Sequence, residues 1–214
     1  MSFFDPDEEE NEAGQSAPRG AFRLPWQKRP GNGEEPTAAS VIFDWLEVFV
    51  FALSFVLILF AFFGRIAIVV GPSMENTLIG NDTLIISNLF YEPKTGDIIV
   101  FQLPENEQFP DPIVKRVIAT AGQTVDIDAD NWIVYVDGVP LDEPYVKQAE
   151  MGTMREGNMT YPYTVKEGEV FVMGDNRRHS TDSRFTEIGP VDVRYILGEV
   201  KLRVLPLPAF GKVK

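Results

Sequence analysis

The chain opens with few apolar positions, an acidic block (Asp5, Asp7, Glu8, Glu9, Glu10, Glu12) and scattered Gly and Pro. Such a segment cannot bury enough apolar surface to offset its ordering entropy, so residues 1–40 are expected to be a disordered tail. The pattern then changes abruptly. Residues 41–64, VIFDWLEVFVFALSFVLILFAFFG, are almost continuously apolar, and from Val48 to Phe63 only Ser54 is polar. A soluble amphipathic helix would show a polar face. This run instead reaches the roughly 20 residues needed to cross a bilayer core. A cleaved signal peptide would have a shorter apolar region beginning nearer Met1, so residues 41–64 predict an uncleaved anchor helix. Asp44 and Glu47 then belong at the membrane interface or against a partner. Arg19, Arg23, Lys28 and Arg29 precede the span and only Arg65 closely follows it. The positive-inside bias therefore predicts a cytoplasmic N-terminus and an extracytoplasmic domain over residues 65–214 in the cell membrane.

Beyond the span the period shortens. TLIISNLFYE, GDIIVFQLP, PIVKRVIAT, TVDID and NWIVYVDGVPL are short Val/Ile/aromatic runs broken by Gly, Pro, Asn and Asp, which predicts strands. Asp137-Gly138 between apolar segments is a hairpin signal. EVFVMGD and ILGEVKLRVLPL add further strands. The expected class is mainly β: an N-terminal transmembrane helix followed by an antiparallel β domain whose edges close as a barrel or sandwich. Residues 142–163 are polar and irregular and read as a loop or a small inserted lobe.

Composition narrows the chemistry. The net charge of −13 argues against nucleic acid as a partner. The absence of Cys removes disulfides and thiolate nucleophiles, and with one His it argues against zinc; no metal or cofactor is expected.

Ser73, in VVGPSMENTL, sits in a turn soon after the span. Alone it reads as a turn residue. A serine nucleophile needs a base, and Lys115 in DPIVKRVIAT is the candidate. On a strand Ile113, Lys115 and Val117 share one face, so the lysine has apolar neighbours on its own side. An exposed lysine is unprotonated only about one time in a few thousand at pH 7. Burial disfavours the ammonium and can make the amine a usable base. Arg116 stays charged and cannot do this. The plain alternative for Lys115-Arg116 is a basic pair that blunts an edge strand. A third stretch, FVMGDNRRHSTDSRFTEIGPV, packs Asp175, Asn176, Arg177, Arg178, Ser180, Asp182, Ser183 and Arg184 into one short segment. Asp182 paired with Arg184, or with Arg177, could hold a hydroxyl such as Ser180 beside a lysine amine.

PSMENTL, GDIIVF, IVKRVIA and GDNRRHSTDSR follow one another after a single span. In that order they resemble the boxes of type I signal peptidases, bacterial enzymes that remove signal peptides from exported proteins. The likeness runs from about residue 41 to 205. It implies a catalytic Ser73/Lys115 dyad, with Ser180 positioning the lysine and Asp175, Asp182, Arg184 and Arg116 supporting the site. It implies an oxyanion donor at the Ser73 N–H; Gly71 stands where some members add a serine hydroxyl. It also implies shallow pockets for small substrate residues, with Val69, Met74, Leu78, Ile113 and Val114 at the matching positions. The partners implied are signal peptides of secreted pre-proteins, the lipid bilayer and the secretion translocon. One departure stands out: Asn76 occupies a position where the family usually has proline.

The reaction so implied is acyl transfer through an acyl-enzyme, cutting after small-x-small sites. Two other readings stay open. One is a specialised relative serving a narrow set such as pilin or conjugation proteins. The other is a catalytically silent, membrane-tethered binding protein, which would predict damage at Ser73 or Lys115.

Overall fold

A computed structural model of the chain describes residues 38–104, 108–146 and 153–213. The tail expected over residues 1–40 lies almost wholly outside the described residues. Helix α1 spans Ala38–Phe63, a little earlier at its start than the sequence pattern suggests. Its stretch Ser40–Ile58 has a mean hydropathy of 2.3, and the helix is long and apolar enough to cross a membrane. Described side chains all along it are exposed, Trp45 at 72% and Phe43 at 67% among them. A helix this apolar all round is expected to be covered on every side by an apolar medium.

The β domain begins immediately after. Its larger sheet comprises β1 (Arg65–Ile68), β2 (Thr83–Ser87), β3 (Ile98–Phe101), β4 (Ile113–Thr120), β9 (Glu169–Met173), β10 (Val191–Asp192) and β11 (Ile196–Leu205). The order is β1-β2-β11-β3-β4-β9-β10, antiparallel throughout. Between β4 and β9 the chain inserts a smaller antiparallel sheet, ordered β7-β6-β5-β8, from β5 (Thr124–Asp128), β6 (Ile133–Val136), β7 (Val139–Pro140) and β8 (Tyr163–Thr164). The inserted lobe therefore starts earlier than residue 142. Its hairpin turns at Asp137 (φ 53°) and Gly138 (φ 77°), the consecutive positive φ values that favour this dipeptide between twisted strands.

The expectation of closed edges is not met by pairing: among the described residues β1 and β10 remain the two edges of the larger sheet. β1 was hidden in the sequence because RIAIVV continues the apolar run of the helix. The sheet bends where β11 shifts register against both β2 and β3. At Gly198 on that strand, a Cβ would meet Ser87 backbone atoms at 2.8–3.0 Å, so only glycine allows β2 and β11 this close.

Strand β4 is central, not an edge. Its pairing with β3 sets Lys115 opposite Ile99 and Ile113 opposite Phe101. Register partners share a face. Ile99, Phe101, Val117, Val170 and Val172 form one buried cluster, with Ile113 packed against it. Val114 packs instead against the cluster containing Val69, Met74, Leu78, Ile98 and Val100. The strand thus carries the lysine through the middle of the domain with apolar residues on both faces.

Candidate active site

Ser73 lies in the turn joining β1 to β2, and Lys115 reaches it from β4. Lys115 Nζ donates to Ser73 Oγ at 2.8 Å and to Val114 O at 2.9 Å. The lysine is 3% exposed. Burial pulls its pKa from 10.5 down to about 8; Arg184 adds to the fall, while Asp182 and Asp175 oppose it. An amine with this pKa is partly neutral at physiological pH and can accept a hydroxyl proton.

The turn that carries Ser73 is held on both flanks. Glu75 N bonds Pro72 O, and Thr77 N and Leu78 N bond Met74 O. Asn176 donates to it twice, from its backbone to Ser73 O (3.0 Å) and from its side chain to Pro72 O (3.1 Å). Arg203 on β11 bonds Thr77 O at 3.2 Å and Asp82 at 2.9 Å. The Thr77 hydroxyl donates to Asp175. Asn76 is exposed on this turn, and the Glu75–Asn76 peptide is cis.

Two buried ion pairs brace the site. Arg116 grips Asp175 with Nε (2.9 Å) and Nη2 (2.8 Å), and its Nη1 donates to Gly96 O. Arg184 grips Asp182 with Nε (2.7 Å) and Nη2 (2.8 Å), and neither side chain is exposed. Bidentate geometry of this kind fixes both partners. Burial works to raise the Asp182 pKa, but Arg184 and the bonds from Ser180 and the Gly174 N–H hold it below the ordinary carboxylate value. Of the two arginines open to Asp182 from sequence, the structure uses Arg184. Arg177 bonds Glu143 and Gly174 O instead.

Ser180 Oγ donates to Asp182 Oδ2 at 2.5 Å. Among the described residues it makes no hydrogen bond to Lys115, whose partners are Ser73 and Val114. Ser180 nonetheless lies close to the Ser73 segment. A Cβ at Gly174 would meet Ser180 Oγ at 2.4 Å and Ser73 O at 2.5 Å, so glycine lets the two segments meet.

A cleft of about 790 Å³ opens beside the pair. β1 and the residues up to Gly71 form one wall; residues 108–115 form another. Val69, Met74, Ile113 and Val114 line it with Ser73 and Lys115. Leu78 does not: it is fully buried in the core beneath the turn. Thr181, Ile188, Phe109 and Leu197 line the cleft without having been expected from sequence. Thr77, Asn176 and Arg203 were likewise missed as braces. Thr77 and Asn176 stand inside the PSMENTL and GDNRRHSTDSR motifs, which mark them without revealing their partners; Arg203 lies in none of the motifs.

The motifs thus converge on one cleft. The family model described as signal peptidase, peptidase S26, matches residues 42–205. A probable signal peptidase I-1 of Synechocystis is 33% identical over 85% of this chain and 92% of its own length. A signal peptidase I of Bacillus licheniformis is 33% identical over 80% of this chain and 92% of its own. A solved signal peptidase I from Enterococcus faecalis is 32% identical, covering 51% of this chain and 97% of that one, with a TM-score of 0.40. By the model match and the two relatives, which span most of the chain from helix α1 to strand β11, the protein belongs to the S26 family of signal peptidases.

Proposed function

We propose that the protein is a membrane-anchored serine endopeptidase that cleaves signal peptides from exported pre-proteins, with Ser73 as nucleophile and Lys115 as general base. The observation that carries this reading is the 2.8 Å contact between a buried amine and the Ser73 hydroxyl. In the reacting form Nζ is neutral, and Val114 O, accepting one of its protons, helps aim its lone pair at Ser73. The hydroxyl proton passes to Nζ as Oγ bonds the scissile carbonyl carbon. The carbonyl oxygen gains the negative charge and takes a hydrogen bond from the Ser73 N–H, the donor that the family likeness implies. The ammonium then gives its proton to the leaving amine as the C–N bond breaks. A water deprotonated by the same amine releases the acyl group and restores Oγ–H.

The cleft supports the substrate class. An extended peptide can add beside the free edge of β1, and the apolar lining near Ser73 offers shallow space for small side chains. Cutting after small-x-small sites is the specificity that this lining and the family likeness favour. Helix α1 would cross the membrane with the basic segment of the tail on the cytoplasmic side. Ser73 follows Gly64 by only nine residues, so the reaction stays within about 30 Å of the end of the span. A signal peptide held by its own apolar segment presents its cut site there, and the translocon that delivers it is the expected neighbour. The β domain would then be the extracytoplasmic part, over residues 65–214, and residues 1–40 the cytoplasmic tail.

The test uses full-length protein in detergent with a panel of pre-proteins. Ser73→Ala and Lys115→Arg should each abolish cleavage, the second because guanidinium keeps its proton. Appreciable activity in either variant would sink the dyad. Broad cutting after small-x-small sites supports a general enzyme, whereas cutting confined to one substrate set points to a specialised relative.

A further inference from the structure

The inserted lobe meets the site at residues 155–159, which contact Arg184 and Ser180, and at a short segment after β7, which contacts Arg177 and Arg116. Glu143 accepts from Arg177 Nη2 at 2.5 Å and from Nη1 at 3.2 Å, with the two side chains 7% and 1% exposed. Two residues on, the Tyr145 ring lies over the Arg116 guanidinium, 3.8 Å from its centroid. The Tyr145 hydroxyl donates to Glu143 Oε1 at 3.0 Å, so carboxylate and ring are locked to each other.

Each arginine held in this way reaches the Ser73 turn, Arg177 through one intermediary and Arg116 both through one and by a 3.4 Å bond from Nη2 to Thr77 Oγ1. Arg116 grips Asp175, which accepts from the Thr77 hydroxyl. Arg177 Nε donates to Gly174 O at 3.0 Å, and Gly174 abuts Ser73 O closely enough to exclude a Cβ. The bidentate pair fixes the guanidinium of Arg116 within its own plane, and the Tyr145 ring stacked on one face restricts its tilt. For Arg177, Glu143 is the carboxylate that makes burial of the guanidinium tolerable.

We propose that Glu143 and Tyr145 are positioning residues for the Ser73–Lys115 pair, acting through Arg177 and Arg116, so that the inserted lobe sets the geometry of the catalytic turn. This rests on reading Ser73 and Lys115 as the reacting groups. It goes beyond the motifs, none of which contains residues 143–145.

The experiment measures kcat and KM on a pre-protein for full-length Tyr145→Leu, Tyr145→Phe and Glu143→Gln, with thermal unfolding of each and Ser73→Ala as reference. Tyr145→Leu and Glu143→Gln should lower kcat by about 10- to 100-fold, the loss that follows a small misplacement of a reacting group, with KM changed by no more than about twofold. Tyr145→Phe keeps the ring and should recover most of the kcat lost in Tyr145→Leu. Unchanged kcat in folded Tyr145→Leu and Glu143→Gln overturns the inference. So does a rise in KM with kcat intact, which would place the segment against substrate, or an equal loss in the Phe and Leu variants. If Tyr145→Leu does not fold, Glu143→Gln, which keeps its shape, decides by the same criteria. Cleavage by Ser73→Ala would overturn the dyad and this inference together; inactive Ser73→Ala beside unaffected Tyr145→Leu and Glu143→Gln overturns this inference alone.

Discussion

Raising the pH should switch the proposed enzyme on around the pKa of one buried amine. Lys115 is held near 8 where an ordinary lysine stands at 10.5, and desolvation is the chief cause. At pH 7 such an amine is neutral about one time in ten, against about one in three thousand for an exposed lysine, so burial supplies about 300-fold more free base. The sign follows from the role: the base must be deprotonated, so kcat/KM climbs with pH and levels off above the pKa. Between about pH 6 and pH 9 the neutral fraction rises roughly 90-fold, nearly tenfold per unit at first and then flattening. The assay is kcat/KM of the full-length protein on a pre-protein across that range, at constant ionic strength. For free enzyme, kcat/KM reports the base directly. A profile still climbing tenfold per unit at about pH 9.5 would mean that burial leaves the lysine ordinary, and would refute the reasoning. A flat profile down to about pH 5 would show that this lysine is not the base.

Lys115→Met removes the buried amine and tests the same shift through stability. Between about 8 and 10.5 the unfolded lysine binds more protons than the folded one, so wild-type stability rises with pH there relative to the Met variant. The gap between the two denaturation free energies should close by about 3 kcal/mol across that window, and a constant gap would refute it. Arg184→Gln leaves Asp182 without its cation, so the midpoint of the pH–rate profile should move above about 8, while the loss of the pair should cost about 3–5 kcal/mol in unfolding. A midpoint that stays put or falls would contradict the arrangement of charges. Gly174→Ala should drive a methyl against Ser73 O and Ser180 Oγ and lower kcat even where thermal melts show the protein folded. Wild-type turnover in that variant would show that the two segments can separate at no cost.

The strands of the larger sheet were legible where a short Val/Ile/aromatic run is bounded by turn residues, as at β3, β4 and β9. β8 and β10 are two residues long and carry no period of their own; they exist because neighbouring strands supply partners. The motif residues were legible because each motif is local. What no local pattern reveals is which arginine meets which carboxylate. Arg177 and Arg184 stand seven apart in one polar loop, and only the fold sends the first to Glu143 and the second to Asp182. Ser180 shows the same limit. Its position in the motif suggested a bond to the lysine, yet its proton goes to Asp182.

These pairings bear on how Lys115 could serve as the base in the proposed reaction. A buried carboxylate standing alone near Lys115 would hold the amine charged, because opposite charges at short range favour the ionised form. The site needs buried carboxylates, since Asp175 and Asp182 order the nucleophile turn and the loop after β9. It gives each carboxylate its own bidentate arginine, and at Nζ the pull of Asp182 is offset in part by Arg184. Asp182 and Asp175 raise the lysine pKa, Arg184 lowers it, and desolvation remains the largest influence. The same pairs confer rigidity through geometry that a single ammonium could not supply. A polar, ordered site can thus still leave an amine partly uncharged, because Asp182 takes Arg184 from its own motif and Asp175 takes Arg116 from β4.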